Sequence, residues 1–314
     1  MSVESVDQQE ASANPVRQKR PWLTPQRRMT IAGYAFLLPN IIGFVLFSAL
    51  PVFGVVALSF VKWDVLTPPE FISLQNYEKL FLRDPIFRKA LVNTTYYVVL
   101  TVPSLVTLGV VLALLVNQKL KGIGVFRTMY FMPIVGLLVA EALLWAWLYD
   151  ADFGLINSVL RAVGLKPVPW LGSTDWAMPA VAIMSIWRSA GYYMVIFLAG
   201  LQGIPSELYE VASIDGAGWW RQFIYITIPM LTPVIFLSIV IAMINTFQVF
   251  TSAWVLTRGG PYYATTTIVM RIYTSAFEDF RMGYASAMAL VLFAIVVTMT
   301  LIQSRMQRKW VHYE

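Results

Sequence analysis

Glu207, Glu210 and Asp215 are the acids of a polar stretch, Glu207-Leu-Tyr-Glu-Val-Ala-Ser-Ile-Asp-Gly-Ala-Gly218, set between two long apolar runs. Pro205 closes the helix before it. Ser206 is expected to cap a new one, its hydroxyl accepting from the unpaired amides of the first turn. Glu207 and Glu210 then stand one turn apart near a helix start, where the dipole favours negative charge. Asp215-Gly216 ends that helix, because glycine accepts the positive φ of a helix stop. The chemistry such a set offers is non-covalent: a short acidic helix and turn shaped to plug into another protein. The plainer reading is a polar connection between two helices.

Two ionisable residues stand inside apolar runs, Glu141 and Arg188. Each such group costs about 2.5–3.5 kcal/mol to insert, so it usually faces a partner or a wet cavity. Either the two pair, or Arg188 lines a solute path, or each is satisfied separately. Ser185, Ser189 and Tyr192 share one helical face, and so do Asn245, Gln248 and Ser252, with Thr246 beside them. Such stripes serve as interhelical hydrogen bonds worth about 0.6 kcal/mol each, or as the lining of a path for a hydroxyl-rich solute. Tyr192, Phe247 and Phe250 would supply the aromatic face that a sugar needs. Thr257-Arg258-Gly259-Gly260-Pro261 is a strong turn signal.

Other chemistry is missing. There is no Cys and a single His, His312, so disulfides, thiolate metal sites and Cys or Ser–His nucleophiles are excluded or unsupported. No metal site and no cofactor are expected on this chain. No Gly-x-x-x-x-Gly-Lys-Ser/Thr phosphate loop occurs, so any ATP site lies on another chain.

The elements that must position these residues are transmembrane helices. Of 314 residues 58% are hydrophobic and 13% charged, with mean hydropathy +0.65, far from the roughly 25% charged of soluble domains. Residues 1–28 read as a disordered, basic, cytoplasmic tail, followed by a transmembrane domain over 29–314. Six spans are expected near 31–60, 91–116, 126–149, 177–201, 229–256 and 284–303, each long enough for a core of about 30 Å. No broken-helix pair is evident. Lys119, Lys121 and Arg127, with Arg305, Arg308 and Lys309 and the basic tail, place both termini in the cytoplasm and the acidic stretch 202–222 with them. The charge of +6 therefore reflects topology, and no nucleic-acid partner is expected. Trp145, Trp147, Tyr149, Trp219 and Trp310 read as interfacial anchors. Residues 71–87 read as an amphipathic segment lying on the surface.

The stretch Glu210-Val-Ala212-Ser-Ile-Asp215-Gly216-Ala217 resembles the EAA loop of ABC-importer permeases, with Val211 where the family usually has Ala. The resemblance extends to Leu74-Gln-Asn76-Tyr77, Asp84-Pro85, Asn93-Thr94, Phe126-Arg127-Thr128 with Pro133, Trp187, Leu256-Thr-Arg-Gly259-Gly260-Pro261, Thr265 to Thr267 and Gly283-Tyr284-Ala285. It is similar to the first of two paired permeases of the maltose and glycerol-3-phosphate type.

That resemblance implies an all-α, six-span permease of the cell inner membrane, working by alternating access on a sugar or sugar-like solute. Its partners would be a second permease, two ATPase subunits, an extracytoplasmic solute-binding protein and the lipid bilayer. Glu207, Glu210, Ala212, Asp215, Gly216 and Ala217 would couple to the ATPase. Spans four and five would line the path, and Gly259, Gly260 and Pro261 would form a periplasmic gate or binding-protein contact. The alternative reading is an ion-gradient-driven secondary transporter with Glu141 as the carrier.

Overall fold

The computed structural model describes residues 25–118 and 120–310. The tail through residue 24, Lys119, the side chains of Arg308, Lys309 and Trp310, and His312 lie outside the described residues. The chain divides into two units, 1–53 and 54–314. In the first, helix α1, Pro25–Phe44, begins inside the expected tail and passes into a π turn, Val45–Ala49. Pro51, in helix α2, Leu50–Leu58, brings no amide to that π turn.

The second unit takes in the end of α2 and then a two-strand hairpin, β1 Val61–Lys62 against β2 Glu70–Phe71, pairing Val61 with Phe71. A short helix α3, Gln75–Glu78, comes next. It is amphipathic, with Gln75 and Glu78 exposed and Asn76 turned inward. Asn76 is buried and its amide donates to the carbonyls of Ser59 at 2.8 Å and Val61 at 3.0 Å. Helix α4, Pro85–Val116, starts where the Asp84 carboxylate accepts from the Phe87 amide, with Pro85 in the first position, where no donor is needed.

Helices α5, Ile123–Val135, and α6, Leu138–Leu148, were expected as one span, and they meet at 99°. Pro133 and Gly136 explain the break: Pro133 removes a ladder donor, and the Gly136 amide turns back to the Pro133 carbonyl at 3.3 Å. After α7, Leu155–Ala162, helix α8, Ala177–Gln202, packs along α4 and crosses α5. At that crossing only a glycine fits, because a Cβ on Gly191 would stand 1.9 Å from the Tyr130 carbonyl oxygen. Tyr149 is no interfacial anchor. It is buried, and its hydroxyl donates to Ala180 O at 2.9 Å.

Helices α9, Ser206–Ile214, and α10, Trp219–Gln222, lead through a π turn, Phe223–Thr227, into α11, Ile228–Phe247. The fifth span was expected to reach residue 256. It stops at Phe247, and α12, Thr251–Thr257, is a separate helix. No Pro or Gly marks this stop. A tertiary bond does: the Thr267 hydroxyl donates to Val249 O at 2.9 Å. Helix α13, Ile268–Tyr273, and a π turn, Thr274–Glu278, precede α14, Met282–Trp310. Among the described residues, five helices are long and apolar enough to cross a membrane, or six if α5 and α6 count as one span. The core lies where α4, α8 and α11 meet, around Leu105, Phe197 and Leu231.

Candidate functional site

Between α4, the α5–α6 break, α8 and the α11–α12 break lies a cavity of about 380 Å³. Ser185, Arg188, Ser189 and Tyr192 line it from α8, and Asn245, Thr246, Gln248, Phe250 and Ser252 from the other side. The two polar stripes expected from sequence are thus brought together. The reason differs from the expected one for the second stripe. Asn245, Gln248 and Ser252 do not share a continuous helical face, because the helix ends at Phe247 and restarts at Thr251. Phe247 is displaced from the path: it is buried in the core and does not line the cavity.

Sequence reasoning missed several lining residues, among them Tyr97 and Thr101 on α4 and Tyr193 on α8. Tyr97 and Thr101 share the wall with Ser185 and Ser252, and Tyr193 shares it with Asn245. A signal was present: Tyr97 and Thr101 are four apart on a helix that otherwise reads as apolar, so they share a face.

Arg188 and Glu141 pair, with Arg188 Nε donating to Glu141 Oε2 at 2.7 Å. Glu141 sits in the first turn of α6, not at the middle of a span, where the exposed amides of a helix start favour an anion. Arg188 Nη2 also donates to the carbonyls of Ile134 at 3.2 Å and Gly136 at 3.1 Å. One side chain therefore satisfies the end of α5 and holds the start of α6.

At the far end of α11 lies the acidic stretch. Ser206 does not cap α9. It is already the first helical residue, Pro205 is the flanking one, and no side-chain cap forms. The other end forms as expected. Gly216 takes φ +76°, its amide bonds Ser213 O at 3.1 Å and the Ala217 amide bonds Ala212 O at 2.8 Å, which together satisfy the last carbonyls of the helix. One side of α9 is tied to α10 and the π turn after it. The Tyr209 and Thr227 hydroxyls are 3.0 Å apart, and Gln222 Nε2 donates to Ser213 Oγ at 2.8 Å and Ala217 O at 3.0 Å. On the other side Glu207, Glu210 and Asp215 are exposed, and their carboxylates make no hydrogen bond or ion pair among the described residues. Ala212 and Ala217 are half-buried.

The Gly-Gly-Pro turn is anchored instead. Gly259 takes φ +85°, and a Cβ there would stand 2.6 Å from Thr266 Oγ1. Thr265 Oγ1 donates to Gly260 O at 2.9 Å, and Asn93 Nδ2 donates to Tyr263 O at 2.7 Å and Thr266 O at 3.0 Å. Lys89 Nζ holds Tyr262 O at 2.6 Å, while Thr94 Oγ1 accepts from the Ile268 amide at 3.0 Å. Beside α14, Asp84 Oδ2 accepts from Tyr284 at 2.7 Å and Arg271 at 3.3 Å. Burial pushes the Asp84 carboxyl up, but the Phe87 amide, the Tyr284 hydroxyl and the Arg271 guanidinium outweigh it and hold the group below its ordinary value of 3.8. Among the described residues no cluster of His, Cys, Asp and Glu has metal-site geometry.

Residues 82–312 match the family described as "Binding-protein-dependent transport system inner membrane component". The chain is 38% identical over 292 residues to the probable ABC transporter permease protein YesP of Bacillus subtilis (strain 168), covering 92% of this chain and 94% of that one. It is 34% identical over 281 residues to the trehalose/maltose transport system permease protein MalF of Thermococcus litoralis, covering 88% and 93%. Among solved structures, a chain of a bacterial alginate ABC transporter, in complex with alginate pentasaccharide-bound periplasmic protein, superposes with a TM-score of 0.79 at 25% identity, covering 90% of this chain and 96% of that one. The chain belongs to the family of inner membrane components of binding-protein-dependent transport systems.

Proposed function

We propose that this chain is one of two different permease subunits of an ATP-driven sugar importer, with both termini cytoplasmic and α9 as its coupling helix. The observation that carries the reading is the two-sided character of α9. Its acids, Glu207, Glu210 and Asp215, are exposed and have no partner among the described residues, while Tyr209 and Gln222 fasten its other side to the start of α11. A body docked on the acidic side moves α11, and α11 carries Asn245 and Thr246 to the cavity. The docked body is an ATPase subunit, one of two, and nucleotide is held there and not on this chain.

The cavity is the solute path. Hydroxyl and amide groups of Ser185, Ser189, Asn245 and Gln248 offer donors and acceptors, and Tyr192 and Phe250 offer rings for the apolar face of a sugar. The names of relatives, among them a trehalose/maltose permease, support a sugar, and the periplasmic protein bound to the alginate transporter supports delivery by an extracytoplasmic binding protein. The solute reaches the cavity from outside by alternating access. The ion-gradient alternative needs Glu141 free to bind and release a cation. Its carboxylate is held by Arg188, which weighs against that role.

Mild purification through a tag on this chain tests the assembly. The expected result is a second permease and an ATPase in a 1:1:2 ratio with this chain. Recovery of the chain alone or as a homodimer overturns it.

A further inference from the structure

Among the described residues the cavity is lined by one charged side chain, Arg188. Its charge is already met at 2.7 Å by Glu141, which is not itself part of the lining. Nε is used by that carboxylate, and Nη2 by the carbonyls of Ile134 and Gly136. Nη1 is the one guanidinium nitrogen without a hydrogen bond among the described residues.

We propose that the cavity selects uncharged polyhydroxyl solutes, and that Glu141 sets this selection by cancelling the charge that Arg188 brings to its wall. This rests on the reading of the cavity as the solute path. A guanidinium and a carboxylate in contact act at longer range as a dipole. Away from direct contact with the pair, an anion in the cavity meets both charges, and the attraction of Arg188 is partly offset by the repulsion of Glu141. The anion nevertheless sheds its hydration, which costs far more for a charge than for a hydroxyl. A neutral sugar meets a different balance. Its hydroxyls replace water with the groups of Ser185, Ser189, Asn245 and Gln248, its ring lies on Tyr192 or Phe250, and Nη1 donates one charge-assisted bond to an oxygen. Arg188 thus serves as a hydrogen-bond donor without making the site an anion site. A structural neighbour is a transporter for alginate, an acidic polysaccharide, so the architecture alone does not exclude acidic glycans and the selection proposed here rests on the Arg188–Glu141 pair.

Glu141 is here a positioning and charge-setting residue, and its removal has opposite consequences for the two solute classes. Glu141→Gln leaves Arg188 uncompensated and should admit anions. The double variant Glu141→Gln with Arg188→Gln returns the wall to neutrality and should exclude them again.

The test uses the purified permease–ATPase complex without its binding protein, so that only this site discriminates. Saturation-transfer NMR titrations compare neutral pyranosides (glucoside, galactoside, mannoside, xyloside) with uronates (glucuronide, galacturonide, mannuronide). At least one neutral sugar should bind about tenfold or more tightly than its uronate partner. Glu141→Gln should narrow that ratio about fivefold or more through stronger uronate binding, and the double variant should restore it. Equal binding of sugars and uronates by the wild-type complex overturns the proposal without any variant, as does a Glu141→Gln complex that assembles but keeps the wild-type ratio. Failure of the underlying reading looks different: no sugar of either class then gives a signal that Asn245→Ala removes.

Discussion

Two glycine turns sit at opposite ends of α11 and α12, and their surroundings differ in kind. Around Gly259 the chain's own groups fill the space: Thr265, Thr266, Asn93 and Lys89 take up the loop carbonyls, and a Cβ would stand 2.6 Å from Thr266 Oγ1. Around Gly216 there is nothing within 4 Å of a Cβ, and the neighbouring acids have no partner among the described residues. Both turns use the left-handed region. One is a motif that the protein consumes internally, the other a motif it leaves open. A sequence signature whose polar groups are already satisfied is explained by folding. One whose polar groups are idle asks for a partner.

The contrast breaks most visibly by substitution of the glycines themselves. Gly259→Val combines positive-φ strain with a collision, and should cost about 3 kcal/mol or more. The expected outcome is a complex that fails to accumulate or melts far earlier in a thermal unfolding assay. Gly216→Val meets open space, so its cost is the backbone strain alone, about 1–3 kcal/mol. It should still assemble while ATP-dependent uptake falls about tenfold or more. Normal uptake by that variant would remove the coupling role of the open turn.

Smaller effects sharpen the picture at the anchored end. Asp84→Asn breaks a buried pair with Arg271, and should lower stability by about 3 kcal/mol at neutral pH. The Asp84 carboxyl lies below its ordinary value of 3.8 in the folded chain. Its contribution is therefore fully present above that ordinary value and is lost as pH falls through the lower folded one. Thermal unfolding of wild type against Asp84→Asn should show a constant gap from pH 7 to 5 that closes only in strong acid. A gap that closes between pH 7 and 5 would contradict the assignment. Thr266→Val removes one loop hydrogen bond and should cost about 1 kcal/mol, without a separate effect on transport per assembled complex. Asn245→Ala, in the cavity wall, should do the reverse, lowering uptake or solute affinity about tenfold or less with assembly intact.

The legibility of these regions in sequence depends on their locality. The α9 turn is set by residues within one helical turn of each other, and Asp215-Gly216 announced it. The missed cap at Ser206 is a matter of one position, since Pro205 already supplied an extended residue before the helix. The end of α11 at Phe247 was not announced, because the Thr267 hydroxyl that takes up Val249 O comes from eighteen residues away. The break between α5 and α6 had a local sign in Pro133 and Gly136, but a proline alone also occurs in unbroken helices, as Pro103 does within α4. What separates the two is Arg188, which holds both sides of the break from another helix.

That the chain is built of apolar helices, that Asp215-Gly216 stops a short acidic helix, and that polar groups recur inside apolar spans all follow from the order of residues. These depend on hydropathy, glycine's access to positive φ and helical periodicity, all short-range. Packing between distant segments brings Arg188 to Glu141, turns Phe247 to the core and Tyr97 to the cavity, and ties the Gly259 loop to Asn93 and Thr266. Those outcomes depend on which groups from distant helices arrive within about 3 Å, and the energy of a buried polar atom is fixed by the partner it finds.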